Sequence, residues 1–223
     1  MTFESGTKTI IEKFHAITGI EERRYAEDHL NASDLAFAAS KEAISAANID
    51  KNTLDYIIVA HNFGEVSKGT IQSDMLPSLA SRVKNKLGIL NANCVAYDLI
   101  FGCPGWVQGI IQAESFIKSG LAKKVLVVGT ETLSRVVDPH DRDSMIYADG
   151  AGATMIEETS DEGGILSHKT VSYTSEGEAE FIFYGPANDK GAGTQYIKMF
   201  GRKVYEFALS KVPLAIQSCL EAS

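Results

Sequence analysis

The chain has 223 residues, 44% of them hydrophobic and 22% charged, with a formal net charge of −8; that balance describes a globular chain able to bury one or two cores and excludes a disordered or fibrous class. The acidic excess, with no Lys/Arg cluster, argues against a nucleic-acid or anionic-membrane surface and leaves small molecules or proteins as partners. No apolar run approaches the roughly 20 residues that span a bilayer, and the opening Met-Thr-Phe-Glu-Ser-Gly-Thr-Lys has no signal-peptide core, so a cytoplasmic location is expected.

In chain order, Asn31 to Ser33 are expected to cap an alanine-rich helix running to about Ala47, whose small residues suit close packing on a sheet. Residues 54–60 read as a buried strand, because β-branched and aromatic residues run almost without a break. Pro77 is then expected to open a helix with Leu79, Ala80, Val83 and Leu87 inward, stopped by Gly88. A third strand-helix unit runs from the strand at 94–101 through Gly102-Cys103-Pro104-Gly105 into an amphipathic helix with Trp106, Val107, Ile110, Ile111 and Ile117 on its inward face. Lys118-Ser119-Gly120 closes that helix, and residues 124–129 form the next buried strand. A parallel sheet with crossover helices follows. Further strands are expected at 148–156, 165–174 and 181–184, and a final helix at 199–220. The whole chain is expected to form a single compact unit.

The three cysteines, Cys94, Cys103 and Cys219, include no CxxC pair and are odd in number, so neither a disulfide framework nor a zinc ribbon is supported. The five histidines have no HxxxH or HExxH spacing, and no metal is expected. His140 within Asp138–Asp143 has the wrong acidic spacing for a calcium loop, and that run reads as a solvated loop. Asp149-Gly150-Ala151-Gly152 lacks the Lys-Ser/Thr of a phosphate cradle and reads as close backbone packing. His61, at the carboxyl end of a strand, reads as a loop-bonding histidine and is assigned no role.

Cys103 carries the chemistry. A side chain at a helix start lies beside unpaired N–H groups and the positive end of the helix dipole, which stabilise a thiolate. Gly102 and Gly105 allow a tight turn and close approach by a substrate, and Pro104 suits the first helical position. The same N–H groups could donate to a developing oxyanion, so one turn offers both nucleophile and electrostatic stabilisation for acyl transfer. A lone cysteine after a strand is more often a small core residue, and that is the reading for Cys94 and Cys219.

Four separated motifs, Thr18–Arg24, Ala96–Leu99 ahead of Gly102–Gly105, Val127–Arg135 and Asp149–Ala153, resemble in content and order those of β-ketoacyl-ACP synthase III. The resemblance covers nearly the whole chain and implies an α/β, thiolase-like fold with a parallel-rich sheet, mainly the N-terminal half of a two-half fold plus the start of the second half, with the boundary near residues 175–200. It implies that Cys103 takes an acyl group from acyl-CoA or acyl-ACP for decarboxylative Claisen condensation with malonyl-ACP, in fatty-acid or related lipid or specialised-product synthesis. No cofactor is implied beyond these substrates.

By the same resemblance, Arg142 borders the CoA entrance, and Ile146, Tyr147, Met199 and Gly201 line the pantetheine tunnel. Leu76-Pro77 stands where the family contributes a residue to the partner's acyl pocket, which implies a homodimer, with acyl carrier protein as a further partner. Met75 and Leu76 then shape that pocket. Lys13 and Ile17 replace the tryptophan and arginine that clamp the CoA adenine, and Phe101 and Trp106 bring bulk to a frame that is usually small. The family's catalytic His and Asn would lie beyond Ser223, and its first strand ahead of Met1, so the chain reads as trimmed at both ends. Two other readings stay open: a catalytically silent fragment or partner subunit, and a cysteine hydrolase that passes the acyl group from Cys103 to water.

Overall fold

A computed structural model describes residues 6–189 and 193–223; the start of the opening segment, residues 1–5, lies outside the described residues. In chain order the elements are α1 (Thr7–Thr18), α2 (Ala32–Ala47), β1 (Tyr56–His61), α3 (Leu79–Leu87), β2 (Val95–Ile100), α4 (Gly105–Lys118), β3 (Lys124–Thr132), β4 (Asp149–Glu157), β5 (Ile182–Pro186), β6 (Gln195–Met199) and α5 (Gly201–Leu220). They form two compact units: a sheet unit of Tyr25–Arg135 and Asp149–Ile165, and a second unit of Met1–Arg24, Val136–Ala148 and Leu166–Ser223.

The sheet unit has strand order β2-β1-β3-β4. β1 pairs in parallel with β2 and with β3, whereas β4 runs antiparallel to β3 from Lys124↔Glu157 to Thr132↔Asp149. The expected parallel sheet is therefore parallel-rich, with one antiparallel edge strand. Side chains alternate between the faces of a strand, and helices cover both faces here. Ile57, Val59, Leu126 and Val128 join α2 and α3 in one core, while Ile58, Val125 and Val127 join Ala113 of α4 in the other. Double coverage explains why β1 and β3 read as unbroken apolar runs.

The helix ends follow their local chemistry. Asn31 caps α2 with a reciprocal box, in which the Asp34 side chain accepts from the Asn31 N–H at 2.9 Å. Gly88, with φ +63, ends α3. Pro77 does not open α3: Ser78 is the cap, its Oγ accepting from the Ser81 N–H at 3.1 Å, and Pro77 lies before it in a cis bond to Leu76. Pro104 likewise stands at the cap of α4, one place before the first helical residue.

In the second unit β5 and β6 form an antiparallel hairpin, with Tyr184↔Ile197 at its centre. The final helix begins at Gly201, because Met199 still belongs to β6. One expected strand is absent. Residues 165–174 form irregular backbone instead of a strand; most of them are exposed, so no apolar face is gained by pairing. Helix α1 and strand β6 were not legible, since α1 has no buried residue and β6 is a short run interrupted by Lys198.

Among the described residues, no helix is long and apolar enough to cross a membrane.

Candidate functional site

Cys103 sits in the sheet unit, between the end of β2 at Ile100 and the start of α4 at Gly105. Gly102 adopts φ +80, a left-handed conformation open to glycine at little cost, and the Gly105 N–H donates to the Gly102 carbonyl at 3.0 Å. The turn leaves Cys103 exposed. No side chain caps α4, so first-turn N–H groups remain available to an anion.

The turn is held by close approach of α4 to the strands beneath it. A Cβ on Gly105 would lie 3.0 Å from Ala60 Cβ, and one on Gly109 only 2.7 Å from Val127 Cγ1. Gly129 of β3 leaves room for Trp106, whose Cβ would lie 3.3 Å from a Cβ there. Gly105 is thus required for packing as well as for access. Trp106 and Val107 are less buried than expected, 41% and 45% exposed, although Trp106 packs over Gly129; Gly105, Gly109, Ile111 and Ala113 are buried, and Ile110 and Ile117 pack on the core as expected. Gly105 and Gly109 mark where the helix comes nearest to the strands.

Five residues ahead of Cys103 in the chain, Asp98 of β2 ties its strand to β1 and α3. Its carboxylate accepts from His61 Nε2 at 2.8 Å, from the Leu79 N–H at 2.8 Å and from the Ala80 N–H at 2.7 Å. Burial pushes the Asp98 carboxyl up, but these donors outweigh it and hold it below the usual range. The Glu131 carboxyl moves the other way: burial pushes it up despite hydrogen bonds from the Asn62 side chain at 3.0 Å and the Phe63 N–H at 3.4 Å. His61 bonds the loop that follows β1, as expected, its Nδ1 accepting from the Gly64 N–H at 3.0 Å, and its Nε2 reaches Asp98 as well. Leu76 is 85% exposed, and a Cβ on Gly64 would meet the sulfur of Met75.

Cys94 is buried, and burial raises its thiol pKa. Gly150 and Gly152 have open space where a Cβ would stand, so close packing is not their role. The anchor of that motif is Asp149, which accepts from the Ala26 N–H at 2.8 Å, the Ser134 N–H at 2.9 Å and the Ser134 hydroxyl at 2.7 Å.

In the second unit, the remaining candidate residues come together. A 3-10 turn spans Arg142–Ile146, and Tyr147 follows it. The Tyr147 hydroxyl lies 3.7 Å from Met199 Sδ, while a Cβ on Gly201 would stand 3.5 Å from Asp143 Oδ2 and 3.7 Å from Met199 Cε. Arg23 Nε donates to the Met145 carbonyl at 3.3 Å. The Arg142 side chain is 76% exposed, with Asp143 Oδ1 3.8 Å from its Nε, and Ile146 is 39% exposed. Lys13 and Ile17 are exposed on α1.

The Asp138–Asp143 run is a solvated loop only in part, since Pro139, His140 and Arg142 are exposed but its first residue is not. Asp138 is 1% exposed, and its carboxylate is bound by Lys198 Nζ at 2.6 Å. Sequence reasoning missed this lysine, although a charged residue inside a short strand is a signal that it has a partner. The described residues hold no cluster of three or more metal-ligating side chains.

Residues 97–174, which include the Cys103 turn and the Arg142 loop, match the family described as 3-oxoacyl-[acyl-carrier-protein (ACP)] synthase III. The chain is also 37% identical over 222 residues to β-ketoacyl-[acyl-carrier-protein] synthase III 1 of Vibrio vulnificus, covering 99% of this chain and 66% of that relative. The chain belongs to the β-ketoacyl-ACP synthase III family. Among solved structures of the family, the synthase III of Aquifex aeolicus superposes with a TM-score of 0.75 at 32% identity, over 94% of this chain and 62% of that one. The priming β-ketosynthase of the R1128 polyketide pathway superposes with a TM-score of 0.79 at 26% identity, over 97% of this chain and 62% of that one. The fold is thiolase-like, and the chain spans about two thirds of the length of these synthase III relatives.

Proposed function

We propose that this β-ketoacyl-ACP synthase III family chain loads an acyl group on Cys103 from acyl-CoA or acyl-ACP, for decarboxylative Claisen condensation with malonyl-ACP. The observation that carries the reading is the exposed Cys103 on a Gly102–Gly105 turn at the uncapped start of α4. The thiolate attacks the thioester carbonyl, N–H donors at the helix start meet the oxyanion, and the carrier thiolate leaves and takes a proton. Malonyl-ACP then loses CO2, and its carbanion attacks the acyl carbon with Cys103 sulfur as the leaving group. The thioesters and the loss of CO2 supply the chemistry, so the substrates stand where a cofactor otherwise would.

Arg142, with its exposed guanidinium, suits the phosphates of a CoA or carrier donor, and Ile146, Tyr147, Met199 and Gly201 suit the pantetheine arm. The exposed Leu76 beside Pro77 fits an acyl-pocket contribution across a homodimer. We read the chain as the N-terminal half of the fold with the start of the second half.

Incubation with acyl-CoA, and separately with acyl-ACP, followed by intact-mass and peptide mass spectrometry, tests the loading step. A thioester adduct on Cys103 that disappears in Cys103→Ser is the expected result. An adduct on Cys94 or Cys219, or one that survives the substitution, refutes it. Rapid release of free acid without retention would favour a hydrolase.

A further inference from the structure

Lys198 lies on β6 directly before Met199, and its side chain is 9% exposed. Its ammonium donates to Asp138 Oδ2 at 2.6 Å, Asp141 Oδ2 at 3.0 Å and Asn188 Oδ1 at 3.1 Å. An ammonium has three donors, so all of them are used within the protein and none is left for a ligand. Asp138 is held from both oxygens, Oδ2 also accepting the Asn188 N–H at 2.7 Å and Oδ1 the His140 N–H at 2.9 Å.

Asp141 works with both of its oxygens. Oδ2 binds Lys198, while Oδ1 accepts the Asp143 N–H at 3.0 Å and caps the 3-10 turn Arg142–Ile146. The turn that presents Arg142 is therefore oriented by a carboxylate that Lys198 itself orients. At its far end the same turn is fixed to β6 through Tyr147 and Met199. Arg142 stands between these two fixings and points its charge outward, where a guanidinium can meet a phosphate in bidentate fashion.

We infer that Lys198 is a positioning residue for phosphate-bearing donors: through Asp138 and Asp141 it holds the Arg142 turn in the conformation that engages the phosphates of CoA or of a phosphopantetheine carrier. The inference rests on the donor role proposed above for Arg142. It separates Lys198 from residues that touch substrate, and it predicts an effect on donor affinity but not on the reactivity of the thiol. If the turn keeps its shape only a tenth of the time without Lys198, the apparent affinity falls about tenfold.

The test follows the rate of Cys103 acylation in the full chain against the concentration of two donors, acetyl-CoA and S-acetyl-N-acetylcysteamine, which lacks phosphate. In Lys198→Met the half-saturating acetyl-CoA concentration should rise about tenfold with the plateau rate retained, while the small thioester reacts as with wild type. Lys198→Arg should recover part of the affinity. Amide hydrogen exchange across residues 138–146 should quicken in Lys198→Met. Unchanged half-saturation, or equal slowing with both donors, would overturn the inference. Should Lys198→Met fail to fold, Asp141→Asn, which leaves the Asp138 pair intact, decides by the same readouts. A wild type acylated by the small thioester but not by acetyl-CoA would defeat the inference and leave Cys103 loading standing. A wild type acylated by neither would defeat the loading reading and this inference together.

Discussion

His61 Nε2 lies 2.8 Å from Asp98 Oδ2, the imidazole buried and the carboxylate nearly so, joining the end of β1 to the strand that leads into Cys103. The Gly64 N–H donates to His61 Nδ1, which places the ring proton on Nε2, facing Asp98. Two backbone donors of α3 complete the shell around the carboxylate.

Removal of that carboxylate should therefore strand three buried donors. Asp98→Ala is expected to lower unfolding stability near neutral pH by about 1–3 kcal/mol for each donor left without a partner, measured by urea denaturation. The Asp98 carboxyl is held below its usual range, so its stabilisation is present above the unfolded value of about 3.9 and is lost as pH falls through the folded value. The gap between wild type and variant should narrow at acid pH. A gap that stays constant down to strong acid would show that the charge of Asp98 is not what binds these donors.

Close approach of α4 to the sheet gives a second expectation. Alanine at position 109 would gain helix propensity of about 1 kcal/mol, yet its Cβ would stand 2.7 Å from Val127 Cγ1 in the core. Overpacking costs about 1–3 kcal/mol, so Gly109→Ala should lower the melting temperature in a thermal scan. An unchanged or higher melting temperature would mean that helix and sheet can separate without penalty.

Much of the sheet unit was legible because its residues carry strong local signals. Unbroken apolar runs marked β1 and β3, Asn31 and Gly88 marked helix ends, and the glycine frame marked the Cys103 turn. What escaped depends on contacts distant in sequence. The Asp138 and Lys198 side chains pair across 60 positions, and neither residue alone reveals the other. Apolar periodicity picked out Ile110, Ile111 and Ile117 of α4, which do pack inward, but it passed over Gly105 and Gly109, which make the closest approach to the strands. Residues 165–174 have apolar members without any face to bury them, which no short window distinguishes from an edge strand. Gly150 and Gly152 drew attention by type, while Asp149 beside them makes the anchoring hydrogen bonds.

The three thiols should differ in reactivity. Cys103 is exposed, whereas Cys94 is buried and burial raises its pKa, opposing the thiolate needed for attack. With limiting iodoacetamide near neutral pH, peptide mapping should find Cys103 labelled well before Cys94. Urea should abolish the difference. Faster labelling of Cys94 in the folded chain would contradict the burial of the β2 side of the core.

Gly102 and Gly105 flank Cys103 but should fail for different reasons when replaced by alanine. Gly102 has φ +80 and only Pro104 Cδ, at 3.9 Å, near its missing Cβ, so Gly102→Ala costs backbone strain of about 1–2 kcal/mol without a steric clash. Gly105→Ala keeps an ordinary backbone but drives a Cβ to 3.0 Å from Ala60 Cβ, which lifts the start of α4 from β1. Asn adopts left-handed backbone more readily than Ala, so Gly102→Asn should be more stable than Gly102→Ala, and Gly105→Asn less stable than Gly105→Ala. Urea midpoints for the four variants, with Cys103 alkylation rates as a readout of the turn, check this ordering. Equal responses to Asn at both positions would remove the distinction between a strained turn and a packed one.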